Sequence, residues 1–339
     1  MELWFAPMGI GPTPFVALAG GAKVWQRACQ RSKDAIAWVD NPRRTELPRL
    51  HLLAIELNAA WHCNISCVAC THASPIAPKG LADPDTVQRD LSNLGQVADV
   101  DEVRILGGEP LLHPQLPALL RAVRNSGLNA TIRLSTNGTR LHATDFEWLD
   151  HVDEVHVSRY PGTRVRPEGL EELTRRCRLA GKILILKDFH SFRHVMPAEP
   201  MTPHQIQAVY DTCQQAHAWS CHTVHEGHVY LCPVSADPSF HDREACPLEP
   251  VSTLADRLAE FLHRPEPLRA CTSCLGTVGN QFTHQQANAK TWLTLTRSGS
   301  IDEAQLEAVH RDPLANNGCS SHKVLVDGSA ESHWVGWKA

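Results

Sequence analysis

No stretch of this sequence approaches the roughly 18 consecutive apolar residues that a membrane-spanning helix needs, so no span is expected. The N-terminus, Met1-Glu2-Leu3-Trp4-Phe5, lacks the basic region that opens a secretory signal, and the apolar patch at 15–18 is soon broken by Gly20 and Gly21. Positive charge is not in surplus either. Lys and Arg number 32 against 37 Asp and Glu, a net charge of −5, which offers no general attraction to nucleic acid or to an anionic membrane. Internal repeats and low-complexity segments are also missing. These absences point to a cytoplasmic chain whose partners include neither nucleic acid nor membrane. With 42% apolar and 20% charged residues, the 339-residue chain can bury one large core or two modest ones. In a reducing compartment its 12 cysteines read as metal ligands, catalytic thiols or core fillers rather than as a disulfide framework.

Residues 1–50 carry little pattern. A helix over 24–38, a turn at Asn41-Pro42-Arg43-Arg44 and a cap on the rest of the fold are the expectation there. From residue 51 onward, apolar runs and amphipathic segments alternate. Strands are predicted over 51–57, 103–106, 130–134, 155–157 and 183–186. Between the first two, Asp83 and Pro84 read as N-cap and first-turn proline of a helix with Val87, Leu91 and Leu94 on one face. Leu116, Leu119, Leu120 and Val123 mark a second helix, closed by Gly127. A short helix over 144–149 follows, and then one with Leu170, Leu173, Cys177 and Ala180 on its apolar face. Thr202-Pro203-His204-Gln205 is a capping box that opens a helix through Ile206, Val209, Tyr210 and Cys213. Alternation of this kind means βα units and a parallel sheet. Past residue 213 the character changes. Residues 221–232, with Gly227 between them, read as a hairpin, and Leu254, Leu258, Phe261 and Leu262 as one more helix. A last helix starts at Ser300-Ile301-Asp302-Glu303, and the chain from Pro313 looks irregular.

Cys63, Cys67 and Cys70 follow the first predicted strand directly. At this cysteine content a thiol with partners at both +4 and +7 arises by chance in about one sequence in a hundred, whereas a lone CxxC such as Cys271/Cys274 is expected about 0.4 times. A 4Fe–4S cube normally takes four thiolates. Three would leave one iron open, and an open position separates a catalytic metal centre from a structural one. A zinc site with His62 or His72 as its fourth ligand is the rival. Other polar residues cluster at successive strand ends, where parallel βα folds build their sites. Gly107, Gly108 and Glu109 follow the second strand, Ser135 and Asn137 the third, Ser158 and Arg159 the fourth, and Lys187 the fifth. Paired glycines let backbone approach a ligand closely, and Glu109 can accept from an ammonium group. Arg159 and Lys187 can hold a carboxylate, and Ser135, Asn137 and Ser158 can bond ribose hydroxyls.

CxxxCxxC after one strand, then Gly107-Gly108-Glu109-Pro110 after the next, resembles the radical S-adenosylmethionine (SAM) superfamily over roughly residues 51–200. The resemblance implies a partial (β/α)6 barrel of the TIM type, with Cys63, Cys67 and Cys70 ligating a SAM-binding 4Fe–4S cluster. It further implies that SAM's amino and carboxylate groups chelate the open iron and that Gly107, Gly108 and Glu109 meet the methionine amino group. An electron, from a donor such as flavodoxin or ferredoxin, would then cleave SAM to methionine and a 5′-deoxyadenosyl radical that takes a hydrogen atom from a small-molecule substrate. One residue departs from the pattern: the family usually places an aromatic side chain just before the third cysteine, and Ala69 stands here. That leaves packing against adenine to other residues.

Cys221 and Cys232 flanking Gly227, then Cys271 and Cys274, resemble the twitch auxiliary-cluster domain of the same superfamily. This implies a second 4Fe–4S cluster with four thiolates, in which Cys213 or Cys246 can replace one ligand. The longer SPASM continuation is absent after Cys274, so one auxiliary cluster is expected. Zinc is a rival here too, because His222, His225 and His228 crowd the hairpin. Cys177 and Cys213 otherwise read as core fillers, Cys29 carries no signal, and Cys246 and Cys319 are candidate hydrogen-atom donors. The fold expected is therefore α/β: a partial (β/α)6 TIM-like barrel with a small C-terminal cysteine-rich α+β extension. Its divisions would be a cap at 1–50, a barrel at 51–200, the extension at 201–285, and a helix with tail at 286–339. The layout resembles enzymes of the 2-deoxy-scyllo-inosamine dehydrogenase type, which oxidise or epimerise sugars and aminocyclitols in antibiotic biosynthesis. Alternatives are a sugar-acid decarboxylase using Arg159 and a maturase of ribosomal peptides, whose usual winged-helix module residues 1–50 do not resemble. A zinc-stabilised binding module is the non-enzymatic one.

Overall fold

The structure, a computed structural model, describes residues 49–237 and 244–315, together with the backbone of two short strands at 323–326 and 333–335. The expected cap, the helix at 24–38, Cys29 and Cys319 lie outside the described residues.

The strand expected at 51–57 is two strands. β1 (Leu50–Leu52) pairs in parallel with β3 (Ala98–Val100), and only β2 (Ile55–Ala60) enters the main sheet. All six β2 residues are buried, the signature of a strand covered on both faces. Helix α1 (Pro84–Gly95) starts as the sequence predicts: the Asp83 carboxylate accepts from Thr86 N, and Pro84 occupies the first turn. Val87, Leu91 and Leu94 are buried along its inner face, each contributing about 1.5–3 kcal/mol through the area removed from water. β4 (Glu102–Gly107), α2 (Leu116–Asn125), β5 (Thr131–Thr136), β6 (Glu154–Arg159), α3 (Pro167–Ala180) and β7 (Ile183–Asp188) continue the alternation. The helix expected at 144–149 is instead two 3-10 turns, Leu141–Ala143 and Glu147–His151, separated by Phe146 at φ 64. Thr144 Oγ1 takes both Phe146 N and Trp148 Nε1, a side-chain bond that competes with helix propagation.

Strands β2, β4, β5, β6 and β7 lie in parallel in chain order. Further on come β8 (Ser191–Arg193), α4 (Pro203–Asp211), β9 (His222–His225), β10 (His228–Tyr230), β11 (Cys246–Pro247), α5 (Leu254–Leu262), β12 (Gln281–Thr283), α6 (Ala289–Thr296) and α7 (Glu303–Arg311). β9 joins the free side of β2 in parallel, so six parallel strands form an open, partial barrel. Antiparallel β10 and β11 extend one edge, and β13 (Lys323–Val326) with β14 (His333–Val335) the other. The cysteine-bearing hairpin is thus continuous with the barrel sheet. Across the sheet, Glu56, Arg104, Arg133 and Glu154 stand in register on four neighbouring strands. Glu102 takes both arginines at 2.7 Å, which satisfies charges that burial would otherwise penalise.

Asp90 ties the hairpin to α1. Its buried carboxylate accepts Gly227 N at 2.6 Å, across a turn in which Glu226 and Gly227 both have positive φ. Asp90→Ala is expected to lower unfolding free energy by about 1–3 kcal/mol, because a buried N–H loses its partner. Asp90→Asn, which keeps an acceptor, should lose less. Urea denaturation of both variants checks this.

Candidate active site at the strand ends

The chain from Ala60 to Cys63 and the loop after β4 are joined by backbone hydrogen bonds. Gly108 N donates to Ala60 O at 2.7 Å and Glu109 N to His62 O at 3.1 Å. Glycine is required here. A Cβ on Gly108 would stand 2.0 Å from His62 O, and Gly107 has φ +112 with Ala60 O 2.5 Å from where its Cβ would be. Glu109 is wholly buried and accepts from Thr136 Oγ1 at 2.6 Å, Asn137 N at 2.8 Å and Leu111 N at 3.0 Å. Burial pushes its pKa up while these donors pull it down. Its carboxylate braces the loops and does not line the cavity; Gly107 and Gly108 do.

Cys63, Cys67 and Cys70 line one cavity of about 460 Å3, and Ser135, Asn137 and Ser158 line it too. Asn137 is partly spoken for, since its Nδ2 reaches Cys63 Sγ at 3.5 Å and Asn64 Oδ1 at 2.9 Å. Burial pushes the Cys63 thiol up to about 12 and also raises Cys67 and Cys70, with the neighbouring thiols adding to the rise at Cys67. Such thiols stay protonated unless a bound cation favours the thiolates. Among the described residues no three His, Cys, Asp or Glu side chains converge as a single metal ion would require. Zinc, at about 2.3 Å from each sulfur, draws its ligands close together, whereas a cube gives each thiolate its own iron and holds the sulfurs further apart. Three thiols bordering one sizeable cavity therefore fit the cube and an added ligand better than zinc. His72 lines the cavity, its pKa pulled down to about 4 by burial, and takes no part in such a convergence.

Arg159 and Lys187 are not brought to this cavity's lining. Arg159 pairs with Asp188 at 2.6 Å and is not among the lining residues, because Ser158 and Tyr160 on either side of it face the cavity and adjacent strand residues point opposite ways. Lys187 is in register with Ser158 and likewise stays outside the lining. Cys246 lies on the β11 edge strand and lines a separate cavity with Arg257, Phe261 and Arg264, so it is not brought to the three thiols.

The later cysteines regroup. Cys213, Cys232, Cys271 and Cys274 line one small cavity among Val209, Tyr210, Leu231 and Leu268. Burial pushes Cys213 and Cys271 up to about 12, and neighbouring thiols of this group reinforce the shift. Cys221 is elsewhere, its thiol beside Arg104 Nη1 at 3.9 Å and Glu56. Cys213 leaves the helix face because α4 ends at Asp211, two residues before it. The hairpin histidines are occupied apart from the thiols: His222 Nδ1 bonds Leu231 O, His228 Nδ1 bonds Glu226 O, and His225 packs edge-on against Trp61. Gln215 and Gly276 border both thiol cavities, so the two sites adjoin.

Several site residues carried no signal in the sequence. Tyr160, Phe189 and Phe192 line the main cavity, with Tyr160 and Phe189 stacked at 5.5 Å. Behind the cysteine loop, Trp292 Nε1 donates to Cys67 O at 2.7 Å, Ala69 N donates to Thr296 Oγ1 at 3.2 Å, and His284 Nε2 lies 3.1 Å from Cys67 Sγ. These partners are more than 200 residues from the loop, beyond any spacing rule.

Gly108→Ala is expected to destabilise the chain by about 2–4 kcal/mol, since the methyl group meets rigid backbone. Gly162→Ala, whose nearest neighbour would be Gln286 Nε2 at 3.9 Å, should cost only the left-handed backbone term of about 1–2 kcal/mol. Urea denaturation of the pair reads the difference.

Comparison with known proteins bears on the same loops. The GTP 3′,8-cyclase of Tolumonas auensis is 29% identical over 104 residues, 30% of this chain and 30% of that one. The Streptomyces coelicolor GTP 3′,8-cyclase is 33% identical over 122 residues, 34% of each chain. The matched part thus spans about a third of the length of these curated relatives. Among solved structures, BtrN in complex with AdoMet and 2-DOIA superposes with a TM-score of 0.41 at 16% identity, covering 63% of this chain and 87% of that one. Streptococcus suis SuiB bound to S-adenosylmethionine gives 0.32 at 18% identity, covering 39% and 33%. Residues 62–163 match the family model of the Radical SAM superfamily. That match contains the cysteine loop and the glycine loop packed on it, so the part of the chain that builds the three-thiol site carries a Radical SAM superfamily domain.

Proposed function

We propose that this chain is a radical SAM oxidoreductase acting on a hydroxyl-bearing small molecule of the carbohydrate or aminocyclitol kind that carries no negative charge, by dehydrogenation or epimerisation. The observation that carries the reading is the single cavity bordered by Cys63, Cys67 and Cys70 together with Gly107, Gly108, Ser135, Asn137 and Ser158. Cys63, Cys67 and Cys70 would hold the SAM-binding cluster. When bound there, cluster and SAM supply a 5′-deoxyadenosyl radical able to take a hydrogen atom from substrate. Tyr160 and Phe189 provide the aromatic surface that Ala69 does not, and Gly107 and Gly108 border the cavity where SAM's methionine end would lie. Cys213, Cys232, Cys271 and Cys274 would hold an auxiliary 4Fe–4S cluster, suited to accepting the electron that a dehydrogenation releases.

The described cavity lining favours a substrate without negative charge. Gln214, Gln215, Thr277 and Gln305 border it from the C-terminal segments, and the one Lys or Arg among the described lining residues, Arg193, is engaged with Asp302 at 2.8 Å and with Gln305 at 3.1 Å. A triphosphate such as that of GTP calls for several available cations, and the described lining does not offer them. A sugar acid held by Arg159 is disfavoured for the same reason, because that guanidinium pairs with Asp188 outside the cavity.

Iron counting after anaerobic reconstitution is expected to give two clusters in the wild type. A Cys63/Cys67/Cys70→Ala variant should keep one and lose SAM cleavage. Cys213→Ala should lose the auxiliary cluster while Cys221→Ala keeps both. SAM cleavage surviving in the triple variant would sink the reading. For the substrate, deuterated sugars and aminocyclitols are the probes, and label appearing in 5′-deoxyadenosine identifies the class.

A further inference from the structure

The cysteine loop is held from behind by a segment far along the chain. Val68 N donates to Gln285 O and Ala287 N to Ser66 O, both at 3.0 Å, so residues 285–287 run beside the loop as a short bridge. The residue just before that bridge is His284. It is buried, with Nε2 at 3.1 Å from Cys67 Sγ. Tyr160 stacks on its ring at 5.1 Å between centroids, and Phe192 meets the ring edge-on at 4.8 Å. The ring is thus fixed in orientation by apolar neighbours, and Nδ1 has no hydrogen-bond partner among the described residues. With a proton on Nε2, the imidazole donates to sulfur.

We infer that His284 is a positioning residue for the three-thiol site, donating a hydrogen bond to the Cys67 thiolate and thereby setting the reduction potential of the cluster held there. The inference rests on the proposed assignment of Cys67 as a cluster ligand. Reduction adds negative charge to a cluster and its thiolates, and a donor aimed at one of those sulfurs stabilises the more negative state. The sulfur of Cys67 is buried, where water cannot replace a lost N–H and where a fixed donor counts for more than at the surface. The other two thiols have weaker or different partners: Asn137 Nδ2 lies 3.5 Å from Cys63 Sγ, and the Ser74 hydroxyl lies 3.9 Å from Cys70 Sγ. Backbone groups of Ile65 also reach Cys63, and those of His72 and Ser74 reach Cys70. Of the side-chain nitrogens among the described residues, His284 Nε2 has the shortest distance to any of the three sulfurs, and it comes from outside the barrel. Through it the C-terminal part of the chain acts on the electronics of a site whose ligands lie more than 200 residues earlier.

Two variants separate the hydrogen bond from the packing. His284→Phe keeps an aromatic ring between Tyr160 and Phe192 but has no donor, and His284→Gln restores an N–H near the position of Nε2. Both are to be reconstituted anaerobically as full chains beside the wild type, with iron content, the reduced EPR spectrum with and without SAM, and a redox titration as readouts. The SAM-sensitive EPR signal identifies the three-thiol cluster. Expected is wild-type iron in both variants, a midpoint shifted to more negative potential in His284→Phe with an altered EPR line shape, and return toward the wild-type midpoint in His284→Gln. A fully loaded His284→Phe with the wild-type midpoint and spectrum overturns the inference. So does loss of iron from the three-thiol site in His284→Phe, which would make the imidazole a metal ligand, and so does an equal shift in both variants, which would make the effect one of packing. A wild-type chain with no SAM-sensitive signal instead overturns the functional reading itself, and this inference with it.

Discussion

The backbone contact between Gly108 and the His62 carbonyl is the constraint on which the site depends. It sets the end of β4 against the start of the cysteine loop with no side chain between them, and a Cβ at Gly108 would lie 2.0 Å from that oxygen. Glu109 then turns inward and is held by donors from β5 and from its own loop. Because one of those donors is Asn137 N, the bracing also fixes the residue whose side chain reaches Cys63. Three strand ends are locked in this way by a pair of glycines and one buried carboxylate.

The thiols depend on that rigidity. Seven cysteines border two adjoining cavities, and burial raises the pKa of each, so none is a ready thiolate by itself. A metal centre held there would supply the charge that favours deprotonation, and its loading would then be coupled to the closing of the fold around it. The closing is not done by the barrel alone. α6 covers the loop through Trp292 and Thr296, and the hairpin that bears Cys232 belongs to the barrel sheet through β9. The C-terminal half of the chain is thus a wall of the first site as well as the holder of the second.

Much of the fold was legible because the signals were local. Asp83 and Pro84 begin α1, the Thr202 capping box begins α4, and Leu91, Leu94 and Leu173 are buried where helical spacing puts them. The 51–57 run failed as one strand because a short apolar stretch does not say which neighbour each half will pair with. At 144–149 the Thr144 hydroxyl outcompeted a helix. Cys213 looked like a core residue because it continues the α4 spacing, and only the end of the helix at Asp211 sends it to the thiol cavity.

What the sequence determined by itself was the chemistry available at the strand ends: three thiols at short spacing, a glycine pair, and an order of strands that puts both on one face. These are short-range facts, since a loop of eight residues can meet the next strand end in only a few ways. What only the tertiary structure decided was which distant groups meet them. Cys213 rather than Cys221 joins the second set of thiols, Arg159 turns to Asp188, and His284 and Trp292 close on Cys67. No periodicity encodes a contact across more than 200 residues. It follows from how the sheet edge, the hairpin and α6 pack, and packing is a property of the whole chain.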